Sequence, residues 1–297
     1  MTNKVLHGDC LELMKDIPDK SIDMILCDLP YGTTACKWDT VIPFREHYKF
    51  RGKTIDGFCS IDDMQTHEIE DFYNYLRYKR IIGKEETWYH IEDELKASYK
   101  PEGLWDLYER IIKDNGAIVL TASQPFTSAL VMSNIKMFKY EWIWGKNNST
   151  GFQLAKKMPL KKHENIPVFY KKQCTYKPQG LIKFNKINKR GGIGQNWRDG
   201  MAHEYLQEYT NYPTQTISFS KEAKTTHPTQ KPVALFEYLI KTYTNEGDLV
   251  LDNCAGSGTT AIACLNTNRN YILIEQEQEY IDVCNERILK HTEGVNK

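Results

Sequence analysis

The sequence has no Cys-x-x-Cys pair. Its eight cysteines (10, 27, 36, 59, 174, 254, 264 and 284) are scattered, which argues against a metal site of the zinc-knuckle kind and against a disulfide framework. Several lie inside apolar runs and read as reduced core residues. No apolar run reaches the roughly 18 residues that a membrane span needs, and residues 1–9 (MTNKVLHGD) lack the apolar core of a signal peptide. A cytoplasmic protein without membrane attachment is expected. An excess of charge is also missing, since 39 Lys and Arg balance 39 Asp and Glu. The balance hides an asymmetry, because residues 136–224 carry 17 Lys and Arg against 6 Asp and Glu. A basic middle fits a polyanionic partner bound through phosphate contacts; a merely solvated lysine-rich surface is the alternative.

Two short motifs carry the chemistry. Asp28-Leu29-Pro30-Tyr31 follows the apolar run 21–27 (SIDMILC), and Asp252-Asn253-Cys254-Ala255-Gly256-Ser257-Gly258-Thr259-Thr260 follows 248–251 (DLVL). Each run reads as a buried strand. The second motif then passes into the apolar stretch 261–265, giving the strand, glycine turn and helix from which α/β sheets build small-molecule pockets. Gly256 and Gly258 let backbone approach a ligand without a Cβ clash. Gly258 is followed by Thr259-Thr260 where a P-loop carries Lys-Ser/Thr, so a phosphate-binding loop is excluded. Glu275 ends the next expected strand, where an acidic side chain can take ribose hydroxyls; a nicotinamide site stays open on these residues alone.

At this point the chain resembles the amino-directed DNA methyltransferases that use S-adenosylmethionine. In that family an (Asp/Asn/Ser)-Pro-Pro-(Tyr/Phe) tetrapeptide handles the target amine and an Asp-Pro-Phe-x-Gly-Ser-Gly-Thr stretch holds the cofactor. The order here, tetrapeptide first, resembles the permuted beta group. The likeness covers about residues 5–44, 104–172 and 227–288. It implies an α/β fold with a doubly wound, mostly parallel Rossmann-like sheet, circularly permuted, and an inserted DNA-recognition region. It also implies methyl transfer to the N6 amine of a flipped-out adenine in double-stranded DNA, releasing S-adenosylhomocysteine, without a metal or a covalent intermediate. Cytosine N4 is the alternative target. RNA or a protein glutamine as substrate, or an inert DNA-binding module, are further readings.

The exocyclic amine is a poor nucleophile because its lone pair is delocalised into the ring, so two acceptors must draw it toward a tetrahedral shape. The Asp28 carboxylate and the Leu29 carbonyl would supply them, and Tyr31 a ring to stack on. Leu29 departs from the family's proline, while Pro30 still holds it extended. By resemblance, Asp9 and Cys10 in the Gly8-Asp9 turn lie at the cofactor's adenine. The stretch 227–232 (HPTQKP) serves its methionine end, with Lys231 facing the carboxylate and Pro232 opening a helix. Asp252 would take the ammonium, and Ala255, Gly256, Gly258 and Thr259 would line the turn. Trp144 and Lys146 (EWIWGK) match an aromatic strand near the base pocket, with core packing an equal account of Trp142. Lys156, Lys157, Lys161 and Lys162, with 171/172, are phosphate-contact candidates.

The chain divides into an initial catalytic part (1–44), an insertion near the substrate pocket (45–103), a second catalytic part (104–146), a target-recognition region (147–225) and a cofactor-binding part (226–297). Residues 104–113 read as an amphipathic helix stopped by Asp114-Asn115-Gly116 ahead of a strand at 117–122. The insertion opens with Arg45, Lys49, Arg51 and Lys53; it could touch DNA, cover the pocket or support a homodimer. A cognate restriction endonuclease is a candidate partner. The whole reading requires Asp28 and Asp252 to reach neighbouring strand ends.

Overall fold

The computed structural model describes residues 2–32, 39–44, 48–50, 53–55, 73, 74, 76, 77, 82, 91, 103–190, 203–220 and 230–295. Arg45, Arg51, the 191–194 glycine cluster and residues 227–229 lie outside them. The chain forms two units, Met1–Val41 with Ile111–Lys297, and Ile42–Arg110. In chain order the strands are β1 (Lys4–His7), β2 (Ile22–Asp28), β3 (Tyr48–Phe50), β4 (Lys53–Ile55), β5 (Ile112–Thr121), β6 (Phe138–Thr150), β7 (Lys161–Phe169), β8 (Ile182–Arg190), β9 (His203–Thr210), β10 (Thr216–Ser218), β11 (Leu249–Asp252) and β12 (Asn270–Glu275). In the smaller unit β3 and β4 pair antiparallel.

The larger unit is built on one eight-stranded sheet in the order β1-β12-β11-β2-β5-β7-β6-β10. The first five are mutually parallel, and β7 alone runs antiparallel to both neighbours. The central strands read as continuous apolar runs because both faces are covered. In β2, Met24 and Leu26 join a core with Ala117, Val119, Ile166 and Val168, closed by Leu235, Phe236 and Leu239 of the Val233–Tyr243 helix and Ala261 and Cys264 of the Thr259–Asn266 helix. Ile25 and Cys27 alternate to the other face and are equally buried. Among the described residues no helix is long and apolar enough to cross a membrane.

The structure departs from the sequence reading in three places. The helix expected over 104–113 ends at Ile111, and β5 starts at once at Ile112, which pairs with Ile22. The next pair is Met24 with Ala117, so Lys113–Gly116 bulge out of the ladder. A Cβ on Gly116 would sit 2.8 Å from the Asp23 carbonyl oxygen, so this glycine serves a close backbone approach within the strand, and a helix cap is not what it provides. The Phe126–Ser133 helix had no expectation attached to it. Finally, residues 147–225 contribute β7 and β10 to the main sheet. Among the described residues of that stretch, β8 and β9 form a two-stranded sheet of their own, with Ile182, Phe184, Ile187, Tyr205 and Leu206 exposed on it.

Candidate active site

Asp28 and Asp252 end adjacent parallel strands. Leu251 lies opposite Ile25, so Asp28 projects two residues, about 7 Å, beyond the level of Asp252. With β12 and β1 continuing the row, the carboxyl ends of four neighbouring strands present Asp28, the 252–258 turn, Glu275 and the Gly8-Asp9 turn at one sheet edge. This is where an open α/β sheet forms its binding crevice.

On the cofactor side the turns are laced together by backbone bonds. Glu275 Oε2 accepts from the Gly256 amide at 2.7 Å, and Oε1 from Gln276 and Glu277 at 2.9 and 3.0 Å. An ionised carboxylate has about four acceptor positions, so Oε2 keeps capacity for a hydroxyl. Asp9 Oδ1 accepts from Leu11 at 2.7 Å, capping the short Cys10–Leu13 helix. The Gly8 amide donates to the Glu275 carbonyl at 3.0 Å. Gly256 and Gly258 have φ of 50° and 75°, and Gly258 caps the Thr259–Asn266 helix. Arg287 pins the turn through the Ser257 carbonyl and the Thr259 hydroxyl, both at 3.1 Å. The Cys10 thiol is held below its ordinary value mainly by its hydrogen bond with Cys254.

Asp252 has a different occupation from the one expected. It is 3% exposed, its Oδ1 accepts from the Cys254 amide at 3.1 Å, and its Oδ2 accepts from the Thr260 hydroxyl. Burial raises its pKa to about 6 against the lowering effect of these bonds. It organises the turn from inside.

On the other side, Asp28 is enclosed. Its Oδ1 accepts from the Tyr31 hydroxyl at 2.9 Å and from the Thr121 hydroxyl, and Lys231 Nζ lies 2.5 Å from its Oδ2. Thr121 ends β5 directly opposite Asp28. The Tyr31 ring stacks on Phe126 with centroids 5.2 Å apart. Burial, then the charges of Asp28 and Glu164, push the Tyr31 hydroxyl well above its ordinary pKa, so it remains a donor. Leu29 is buried and Pro30 half-buried.

Lys231 was expected to face a cofactor carboxylate, and the structure gives its ammonium to Asp28 instead, with Glu164 Oε2 3.6 Å away. Burial pulls its pKa down, but the two carboxylates outweigh that and hold it above the usual lysine value. Its neighbour Gln230 accepts from the Ser257 hydroxyl at 3.3 Å, so residues 230–231 touch both halves of the site. Pro232 is the N-cap of the Val233–Tyr243 helix.

Trp144 is fully buried and its indole donates to the Phe219 carbonyl at 3.0 Å, so it offers no face to a base. Lys146, expected near the base pocket, is bonded to Glu164 and 10% exposed. Trp142 donates to the Tyr243 hydroxyl at 2.6 Å inside the core. Lys156, Lys157, Lys161 and Lys162 are exposed, whereas Lys172 pairs with Asp114 at 2.8 Å. Sequence reasoning missed Thr121, Phe126 and Glu164. Thr121 had a visible signal, being the polar residue at the end of an apolar strand, whereas Glu164 lies among the polar residues 161–165 of β7 and had none.

The profile of the N6/N4 DNA methylases, described as DNA methylase, matches residues 22–286. Among curated proteins, the Type II methyltransferase M.HinfI of Haemophilus influenzae is 27% identical over 96% of this chain and 68% of its own length. The DNA adenine methyltransferase YhdJ of Escherichia coli is 25% identical over 93% of this chain and 79% of its own length. The solved PvuII DNA methyltransferase (cytosine-N4-specific) superposes with a TM-score of 0.53 at 14% identity, covering 98% of this chain and 91% of that one, a likeness of fold. With strand-end motifs on adjacent β2 and β11 and a family match across most of its length, the chain belongs to the N6/N4 DNA methylase family.

Proposed function

We propose that the protein transfers the methyl group of S-adenosylmethionine to the N6 amine of an adenine flipped out of duplex DNA. The observation that carries this is the adjacency of Asp28 and the 252–258 turn on parallel neighbours of one sheet. Asp9, Glu275 and the glycine turn fit the cofactor: Glu275 keeps an acceptor for the ribose hydroxyls, Asp9 lies at the next strand end for the adenine side, and the 252–258 turn offers a backbone cradle. When bound, the cofactor supplies an electrophilic sulfonium methyl.

The chain's own residues do the rest by placement. Asp28 and the Leu29 carbonyl accept from the amine hydrogens, drawing the nitrogen lone pair out of conjugation. Tyr31, braced on Phe126, supports the base. The Thr121 hydroxyl fixes the Asp28 carboxylate. The exposed pairs 156/157 and 161/162 supply phosphate contacts that hold the duplex without reading its sequence.

Adenine is favoured by Asp at the head of the tetrapeptide and by the adenine specificity named for the Escherichia coli relative. The fold likeness to a cytosine-N4-specific enzyme supports a second reading, N4 methylation of cytosine. Digestion of methylated duplex to nucleosides decides between them: N6-methyladenine is expected, and N4-methylcytosine refutes the adenine assignment. Type II relatives support a companion restriction endonuclease, in which case DNA from cells expressing the enzyme resists that nuclease.

A further inference from the structure

Glu164 belongs to no motif, yet it sits at the centre of a buried chain of charges. Asp28, Lys231, Glu164 and Lys146 alternate in sign, and all four side chains are at most 22% exposed. Glu164 Oε1 is taken by Lys146. Its Oε2 is buried and has no hydrogen-bond partner among the described residues, lying 3.6 Å from Lys231 Nζ. A buried carboxylate oxygen left without a donor is costly unless something comes to fill it.

The arrangement conflicts with the chemistry assigned to Asp28. Both of its oxygens are already engaged, Oδ2 by a full positive charge at 2.5 Å. A carboxylate neutralised in this way is a weak acceptor for an aromatic amine. The nearest other place for the Lys231 ammonium is Glu164 Oε2. Closing 3.6 Å to a charge-assisted bond of about 2.8 Å needs a movement of about 0.8 Å. Lys231 is buried, so water offers it no equivalent exchange. Gln230, next in the chain, contacts Ser257 of the cofactor turn, which gives that turn a covalent route to the switch.

We propose that Glu164 is a positioning residue which receives the Lys231 ammonium when the target amine enters, exposing Asp28 Oδ2 for the reaction. In the empty site Lys231 caps Asp28. In the loaded site the cap moves to Glu164, and Asp28 Oδ2 becomes a free acceptor. The proposal rests on the DNA-methylation reading above.

Glu164→Gln keeps the shape and the acceptor for Lys146 but removes the charge that draws Lys231. In single-turnover assays at saturating cofactor and duplex, E164Q is expected to transfer methyl about tenfold more slowly or worse. Cofactor and duplex affinities should stay within about twofold of wild type, while the melting temperature falls by about 5 °C because the buried Lys146 and Lys231 ammonium groups lose a counter-charge. Glu164→Asp should recover much of the rate. A purely structural role would lower cofactor and duplex affinity together with rate. E164Q at wild-type rate overturns the proposal, as does a loss of rate that follows lost cofactor binding. A crystal structure of the wild-type enzyme with S-adenosylhomocysteine and a target duplex decides independently of any variant. Lys231 on Glu164 supports the switch, and Lys231 still on Asp28 with the base in place refutes it. Absence of DNA methylation by wild type would instead refute the function.

Discussion

Asp252 offers a test that needs neither cofactor nor DNA. Its carboxyl is 3% exposed and its folded-state pKa is raised from 3.8 to about 6. The folded state therefore holds a proton that the unfolded chain has already released. Stability is fully present below pH 3.8, falls as pH rises through the interval up to about 6, and is then constant at the lower level. A shift of roughly two units corresponds to about 3 kcal/mol, of which about 2 is lost between about pH 4.5 and 7.5. For a chain of 297 residues the unfolding entropy is about 0.6 kcal/mol/K, so this loss is about 3 °C in melting temperature. Asp252→Asn removes the titration while keeping an acceptor for the Cys254 amide and polar contact with Thr260. The melting temperature of D252N minus that of wild type, followed by scanning fluorimetry, should increase by about 3 °C across that range. All other titrations are common to both proteins and cancel. A difference independent of pH refutes the assignment of a buried, reluctantly ionised Asp252.

Three further outcomes are expected. Asp28→Ala should abolish turnover, by about a hundredfold or more, while cofactor and duplex still bind in calorimetry; retained activity removes Asp28 from the reaction. Gly258→Ala forces a Cβ into Cys284 Sγ at a φ of 75° and should cost about 2–4 kcal/mol, read as a lower unfolding midpoint; combining it with Cys284→Ala should recover part of that. Replacing Lys156 and Lys157 together by alanine should lower the slope of log affinity against log salt by about 1.8 without changing the preferred sequence, and an unchanged slope takes both out of the DNA contact surface.

The sheet could be read from sequence wherever apolar runs ended in a motif. Ile22–Asp28, Leu249–Asp252 and Asn270–Glu275 lie within a residue of the runs 21–27, 248–251 and 271–274, because strands buried on both faces leave an uninterrupted apolar signature. The adjacency of Asp28 and Asp252 was a requirement of the family resemblance, since strand-end motifs alone do not fix which strands are neighbours, and the order of the sheet meets it. What sequence hid was pairing between distant polar residues. Lys231 looked like a cofactor ligand because its motif is local, whereas its partner Asp28 is set by the order of strands. Trp144 and Lys146 looked like residues of a strand near the base pocket, whereas Trp144 is buried in register with Glu164 of β7 and Lys146 is paired to that same Glu164. The bulge at Lys113–Gly116 was hidden because its polar residues imitate a helix stop while Ile112 is buried in the ladder.

The sheet order also dictates when during synthesis the enzyme can come into being. Among the described residues β1 pairs with β12 alone, Lys4 lying opposite Ile272, and β2 waits for β11 on one side. A ribosome that has not yet released the final fifth of the chain holds two unsatisfied strand edges and half a crevice. Pairings between such remote segments close slowly, so premature termination or a slow last stretch would leave a nascent polypeptide open to aggregation.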